Sequence, residues 1–418
     1  MTTRDISSAR NSWERARQIA DALPGDDPER TAMRIATRTK LCGTAWRGPD
    51  PDVAARVEEL RELCRDTGDN SSLAIGITAL ALQQGFSGRQ LDASRFAAEA
   101  MTLLASVGDP ALSIGAASAS ASIRLETGHA ADVLRWAERI IEQNSGHPAA
   151  RGTAPGSPLI ALALIFRGVA RWWLGVPGWR QDVEDAGAMA ARTGPITRPA
   201  VVSWKYFDAV PHGVLRADDS TVRELEGALH FAEATGEDTL VGNVKTTLGR
   251  VLMERESPDD RQRGSELLEA VRDLSRQRRY MVTHLRVLDI CVEREKVRRG
   301  ESSDAIPAMQ KAVASLFFEG QVLEAVWGTA VLVDALLTRD AERDNAEACA
   351  AIDRLAKLPH DVSGGLCDVW LLRLRALMAR ARGDEDAFRD YRDRHREMAT
   401  SLGFEGHLQW ADEMAKQP

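Results

Sequence analysis

Runs in which Val, Ile or Thr alternate with polar residues are missing from this 418-residue sequence, which leaves little from which to build β-strands. Long apolar runs are missing too: the longest, residues 158–166, is about half of the roughly 20 residues that a bilayer span requires. The amino terminus, MTTRDISSARNSWERAR, lacks the apolar core of a secretory signal, so the expected compartment is the cytoplasm and no membrane is expected as a partner. Nor is there an excess of positive charge. With 54 Lys and Arg against 62 Asp and Glu, the net charge of −8 provides no global field for phosphate backbones or anionic lipids, so direct nucleic-acid binding is not expected. The five cysteines (Cys42, Cys64, Cys291, Cys349 and Cys367) include no C-x-x-C pair, which argues against zinc or a redox couple and for reduced thiols buried between helices.

Local signatures of chemistry are absent as well. A P-loop needs a Gly-Lys step, and the sequence has none; H-E-x-x-H, G-x-S-x-G and a dinucleotide fingerprint are likewise lacking. No two of the eight histidines share a helical face at metal-binding spacing. The expectation is a non-enzyme without catalytic residues, bound metal or cofactor.

What is present is helical periodicity and regular punctuation. Ala, Leu, Arg and Glu recur at spacings of three and four. One set of turn markers falls at Gly68, Gly108, Gly146, Gly194, Gly236, Gly320 and Gly403, in steps of about 40 residues; two double steps place further breaks near residue 278 and at Pro359-His360. A second set lies midway, at Gly128, Gly175, Asp218, Pro258, Gly300, Asp340 and Gly383. Two interleaved sets mean helix pairs, such as 240–255 with 261–277 and 321–338 with 346–358. One pair cannot bury its apolar faces alone, so neighbours must stack. Gly249 and Gly328, with Gly76, Gly115 and Gly168 as equivalents, supply the small residue at which paired helices approach closely.

The predicted fold is therefore all-α, a tetratricopeptide-like superhelical solenoid of about nine antiparallel helix pairs. Residues 1–27 are a capping helix and turn with Trp13, Ala16, Ile19, Ala20 and Leu23 on one side; residues 28–403 are the array; residues 404–418 are a closing helix and tail carrying Phe404, Leu408, Trp410 and Ala411. Residues 145–157 read as a loop inserted on one face.

Two clusters invite a recognition reading. Arg171, Trp172 and Trp179 surround a turn after the loop, and Trp204, Lys205 and His212 follow in the next repeat; if first helices line the inner curve, these six form a groove for a protein, peptide or small ligand. The competing reading is packing, because the adjacent Trp172 and Trp173 point about 100° apart on a helix. Arg276, Arg278, Arg279, Arg294, Lys296, Arg298 and Arg299 form a basic concentration, read either as a site for an acidic peptide or nucleic acid or as a solvated face.

Several phrases carry a family resemblance: A-M-R-I-A at 32–36 with L-C-G-T-A-W at 41–46, R-G-V-A-R-W at 167–172, W-L-L-R-L-R-A-L at 370–377, and S-L-G-F-E-G-H at 401–407. Over nearly the whole chain, the sequence resembles the carboxy-terminal helical region of large bacterial class III adenylate/guanylate cyclases, in which a cyclase domain and an AAA-type ATPase precede a tetratricopeptide-like array. The resemblance implies a regulatory, partner-sensing module with a cyclase or ATPase as partner. It does not bring the catalytic parts, whose strands and P-loop this sequence lacks. The alternative is the ligand- or partner-sensing array of a bacterial transcriptional regulator.

Overall fold

The computed structural model describes residues 3–44, 52–106, 114–146, 156–194, 196–236, 238–278, 284–339 and 342–416. Most of the expected loop at 145–157 lies outside these residues, as do Trp46, Arg279 and Asp340.

The described residues form twenty α-helices and no strand. Helix α1 (Thr3–Ala22) precedes the pairs α2 (Arg30–Cys42) and α3 (Val53–Thr67), α4 (Asn70–Phe86) and α5 (Gln90–Leu104), and α6 (Ile114–Glu126) and α7 (Ala130–Gln143). Next come α8 (Pro158–Leu174) and α9 (Trp179–Ala190), α10 (Thr197–Tyr206) and α11 (Asp219–Thr235), and α12 (Asp238–Met253) and α13 (Pro258–Arg278). The series ends with α14 (Leu285–Arg298) and α15 (Ser302–Glu319), α16 (Val322–Arg339) and α17 (Glu342–Ala356), α18 (His360–Ala381) and α19 (Glu385–Leu402), and α20 (Glu405–Lys416). This is an all-α, tetratricopeptide-like solenoid: each first helix packs on its own second helix, and successive first helices pack side by side over most of the array.

The punctuation works through caps. Asp69, Ser157, Asp218 and Asp384 accept hydrogen bonds from the backbone N–H three residues on, each satisfying a donor that the first helical turn leaves orphaned. Two of the small residues, Gly249 and Gly168, lie where the helices of a pair meet. A Cβ on Gly249 would come within 2.7 Å of Leu268 on the partner helix, and one on Gly168 within 2.9 Å of Val183. Gly76 and Gly328 instead admit side chains of the preceding repeat, Leu60 and Ile290.

Helix α1 departs from its expected face. Ala20 is buried, but Trp13 is 36% and Ile19 66% exposed. The helix is held instead by charge: Asp21 accepts from Arg34 at 2.9 Å, and both its carboxylate oxygens accept from Nη2 of the buried Arg38 at 3.0 Å. Small apolar and ionic contacts fix its rotation, leaving the larger apolar side chains outside.

The array is not open along its whole length. The carboxy-terminal pairs return to the middle of the chain and close on it. The Trp179 indole N–H donates to the Leu402 carbonyl at 2.9 Å, and Arg180 reaches Glu405 at 2.7 Å and the Gly403 carbonyl at 2.9 Å. In α18, Gly364 leaves helical geometry (φ 60°, ψ −175°), and a Cβ there would lie 2.4 Å from the Trp173 carbonyl oxygen. The backbone N–H groups of Glu405 and His407 donate to the carbonyls of Val214 and Gly213, each at 3.0 Å.

The acceptor of that last contact is a buried, non-helical segment, residues 207–214. It occupies the inner side of the closure, touching Trp172 from α8, Arg250 from α12 and Trp370 from α18. Gly213 has φ +67°, and a Cβ on it would come within 2.5 Å of Trp410. Gly213→Ala is therefore expected to cost about 2 kcal/mol or more, combining left-handed backbone strain with a clash against α20. Gly383→Ala, at φ +72° in open space, tests strain alone and should cost less. Urea unfolding followed by tryptophan fluorescence checks the difference, and equal costs would remove the closure from the explanation.

Candidate functional site

Of the six residues expected to form a groove, three are interior. Trp172 is buried beside Trp173, with ring centroids 6.5 Å apart at 76°, and against His212 at 6.1 Å. Trp179 is buried on Phe404, its indole committed to Leu402. His212 is fully buried. Arg171 sits at the α8–α9 turn, donating to the buried Asp182 at 2.8 Å, and Asp182 also takes Arg167. Lys205 is bound to Glu224 at 2.8 Å and lies over the Tyr206 ring. Only Trp204 of the six faces a recess.

That recess, about 180 Å³, is lined from the first helices α4, α6, α10 and α12 with Gln90 at the start of α5 and His284 before α14. Trp204 packs on Phe166 and Phe207, and Phe207 continues to His284 at 5.1 Å, giving an aromatic wall. Gln90 is 1% exposed, yet neither its amide nitrogen nor its amide oxygen has a partner. The Nδ1 atom of His284 is also buried without one. Buried amides are normally satisfied, so an unpartnered one on a residue that lines the recess singles out Gln90, its polar atoms covered by the surrounding side chains. No sequence signal announced Gln90; Trp204 was legible as an aromatic on an inner helix.

Behind this wall lies a buried ionic cluster that sequence reasoning missed. Arg250 grips Glu324 with two hydrogen bonds, at 2.8 and 3.0 Å, reaches Asp208 at 3.3 Å, and is stacked between the Phe207 and Trp327 rings at 4.5 and 5.0 Å. The single signal was an arginine within the apolar run L-G-R-V-L-M of an inner helix. Burial and the neighbouring Glu324 charge raise the Asp208 carboxyl well above its ordinary range, with Arg250 pulling the other way. A neutral Asp208 leaves one cation facing one anion.

Candidate ligand atoms of Asp208, His212 and Glu324 lie within 4.8 Å of one another, so metal binding must be considered. The donor set does not fit. The Trp370 indole, which can only donate, points at His212 Nδ1 at 3.2 Å; the neutral ring therefore carries its proton on Nε2 and offers no free lone pair. Arg250 already supplies the positive charge.

Further along, His395 and His407 share a hydrogen bond at 2.9 Å, both buried, beside Trp370 and Trp410. Burial pushes His395 down to about 3 and holds His212 and His407 well below the ordinary histidine range.

The basic concentration is distributed among carboxylates. Arg276 pairs with Asp289 at 3.1 Å, Lys296 with Glu293 at 2.9 Å and Arg294 with Glu254, while Arg298 and Arg299 flank Glu295. As a strip for nucleic acid it is largely neutralised.

No family model matches the sequence, and no curated protein matches it. Among solved structures, the crystal structure of Rap protein complexed with competence and sporulation factor is similar over 96% of this chain and 99% of its own, at 9% identity and a TM-score of 0.43. A likeness at that level says nothing about what this chain binds.

The cluster makes two predictions. Asp208→Asn, which imitates the neutral acid, should be nearly neutral at pH 7. Glu324→Gln should cost less than the full penalty because Asp208 can then ionise, whereas the double variant leaves Arg250 unpaired and should lose about 3–5 kcal/mol. Additive losses in urea unfolding would contradict a shared proton balance. The histidines give the second. Their folded pKa values lie below the unfolded value of about 6.5, so the unfolded chain binds more protons, and stability present above that pH is lost as pH falls, by up to about 1.4 kcal/mol per unit for each histidine. For His395 the loss runs from about 6.5 down to about 3. Raising the pH through the same window lets Asp208 work in the opposite sense, since its raised pKa favours the folded state only while it is protonated. Three histidines outweigh one carboxyl, so the melting temperature should fall between neutral pH and pH 5; a flat profile would contradict the buried neutral state.

Proposed function

We propose that this chain is a non-catalytic helical-repeat regulatory module that takes a segment of a protein partner in the Trp204 recess. The observation that carries the reading is Gln90: a buried side-chain amide with donor and acceptor both unpartnered, beside an aromatic wall, is the complement of a peptide group followed by an apolar side chain. The strongly perturbed Asp208, His212, His395 and His407 are enclosed by the protein's own side chains and serve its internal charge balance. We further propose that occupancy is passed to nucleotide-cyclase or ATPase modules, on the same polypeptide or on a partner; the support is the resemblance of phrases such as S-L-G-F-E-G-H at 401–407 to the helical region of bacterial cyclases.

Two experiments test this. Peptides selected from a displayed random library against the full chain should bind about tenfold or more weakly to Gln90→Leu and to Trp204→Ala, with the fold checked by circular dichroism. Undiminished binding to both variants would place recognition elsewhere. Purified chain with ATP or GTP and Mg²⁺ or Mn²⁺ should form no cyclic nucleotide; robust synthesis would end the non-catalytic reading.

A further inference from the structure

A second cavity, of about 570 Å³, is bounded by α14, α16 and α18 and by the closing helix α20. Its polar lining is dominated by guanidinium groups. Arg294 and Arg298 stand one turn apart on α14, and Arg373 and Arg380 two turns apart on α18; Asp334 and Glu413 are the carboxylates in the wall. Asp334 lies 3.2 Å from Arg373, and Glu254, behind the wall, takes both terminal nitrogens of Arg294 at 2.5 and 3.0 Å. Glu413 accepts a bond from Gln409.

Arg298 is compensated less than Arg294 or Arg373. Its terminal nitrogen donates to the Met253 carbonyl at 2.9 Å, and Glu295, 3.5 Å away, is divided among Arg261, Arg298 and Arg299. Burial and the adjacent Arg294 charge push the Arg298 guanidinium down to about 10, as expected where positive charge is crowded. Four guanidinium groups thus face two wall carboxylates in a half-open, partly apolar space, with the half-buried Trp410 at its edge.

We infer that this cavity is a binding site for a small phosphate ester. Guanidinium groups match phosphate oxygens in planar, two-pronged contacts. A phosphate monoester carries about −1.5 to −2 charge at neutral pH, which suits Arg298 and its neighbours better than a single carboxylate does. The volume falls within the roughly 300–1,000 Å³ of small-molecule pockets, and valine, leucine and tryptophan side chains leave room for an organic body. Bound there, the ester ties three inner helices to α20. The site is separate from the Trp204 recess, and neither reading depends on the other.

The test uses the full chain, with calorimetric titration and thermal unfolding at fixed ionic strength against inorganic phosphate, a sugar phosphate and AMP. At least one ester should bind saturably, more tightly than inorganic phosphate, and raise the melting temperature. Arg298→Gln keeps an N–H for the Met253 carbonyl; it and Arg380→Gln should each weaken binding by about tenfold. Arg263→Gln, at the exposed pair with Glu226, should not. AMP binding more tightly than the sugar phosphate assigns a nucleotide, and equal affinity assigns a sugar phosphate; either supports the site. No saturable binding of the three up to about millimolar concentration, inorganic phosphate matching both esters, or full affinity in both variants overturns it.

Discussion

The structure depends on what residues 207–214 do with their polarity. This non-helical stretch inside a helical array bonds the N–H groups of Phe207, Val210, His212, Gly213 and Val214 to α10 and its own turns, but the carbonyls of Gly213 and Val214 and the side chains of Asp208 and His212 look elsewhere. Burial is tolerable because partners arrive from distant repeats: Arg250 and Glu324 for the carboxylate, Trp370 for the imidazole, and the start of α20 for the carbonyls of Gly213 and Val214. Such a centre is an exacting device. Each partner removed strands another group away from water, so the helices that supply them are fixed in position more firmly than apolar packing would require.

The apolar packing is uneven. One large core takes residues from α4 through to Phe404, and smaller local clusters lie beside it: Val57, Leu60 and Ile77 in one, Ala93, Ala97 and Ile123 in another, and Leu225, Val244 and Leu248 in a third. The Trp204 recess lies among them, lined by Ile123 of the second, Leu240 of the third and Trp204, which packs against the large core. A partner bound there would touch all three, a suitable geometry for converting occupancy into a change in their relationship.

The repeat architecture was legible in the sequence because its determinants are local. Gly175 and Gly403 end helices by adopting left-handed conformations, Asp69 and Asp218 start them, and Gly249 admits its partner helix, all within a repeat. The same holds for α20, whose Phe404 and Ala411 are buried. The groove residues were less legible because tertiary partners set their environment: Trp179 is covered by Leu402 and Phe404, more than two hundred residues away, and His212 meets Trp370. Helix α1 failed differently. A helical wheel gives which residues share a side, but Asp21 and its arginines decide which side faces inward. The phrase at 401–407, in which Gly403 was legible as a turn and Phe404 as part of the closing helix, also supplies the two backbone donors of the closure.

The closure also changes what kind of polymer this is. An open solenoid is modular: a repeat can be added or deleted and the ends simply move. Once α18 to α20 must land on α8 and on residues 207–214, the number of helix pairs between those points is fixed by geometry, as the number of staves is fixed in a barrel. Duplication or loss of a repeat between α8 and α20 would misalign Gly364 with Trp173 and His407 with Gly213 together, whereas the amino-terminal repeats meet the later ones through side chains such as Leu91 against Gly320 and Glu126 beside His284, which tolerate adjustment better than backbone contacts do. Variation in length within related chains should therefore accumulate at the amino-terminal end, and the closing contacts, which join distant parts of the sequence, should form late as the chain folds.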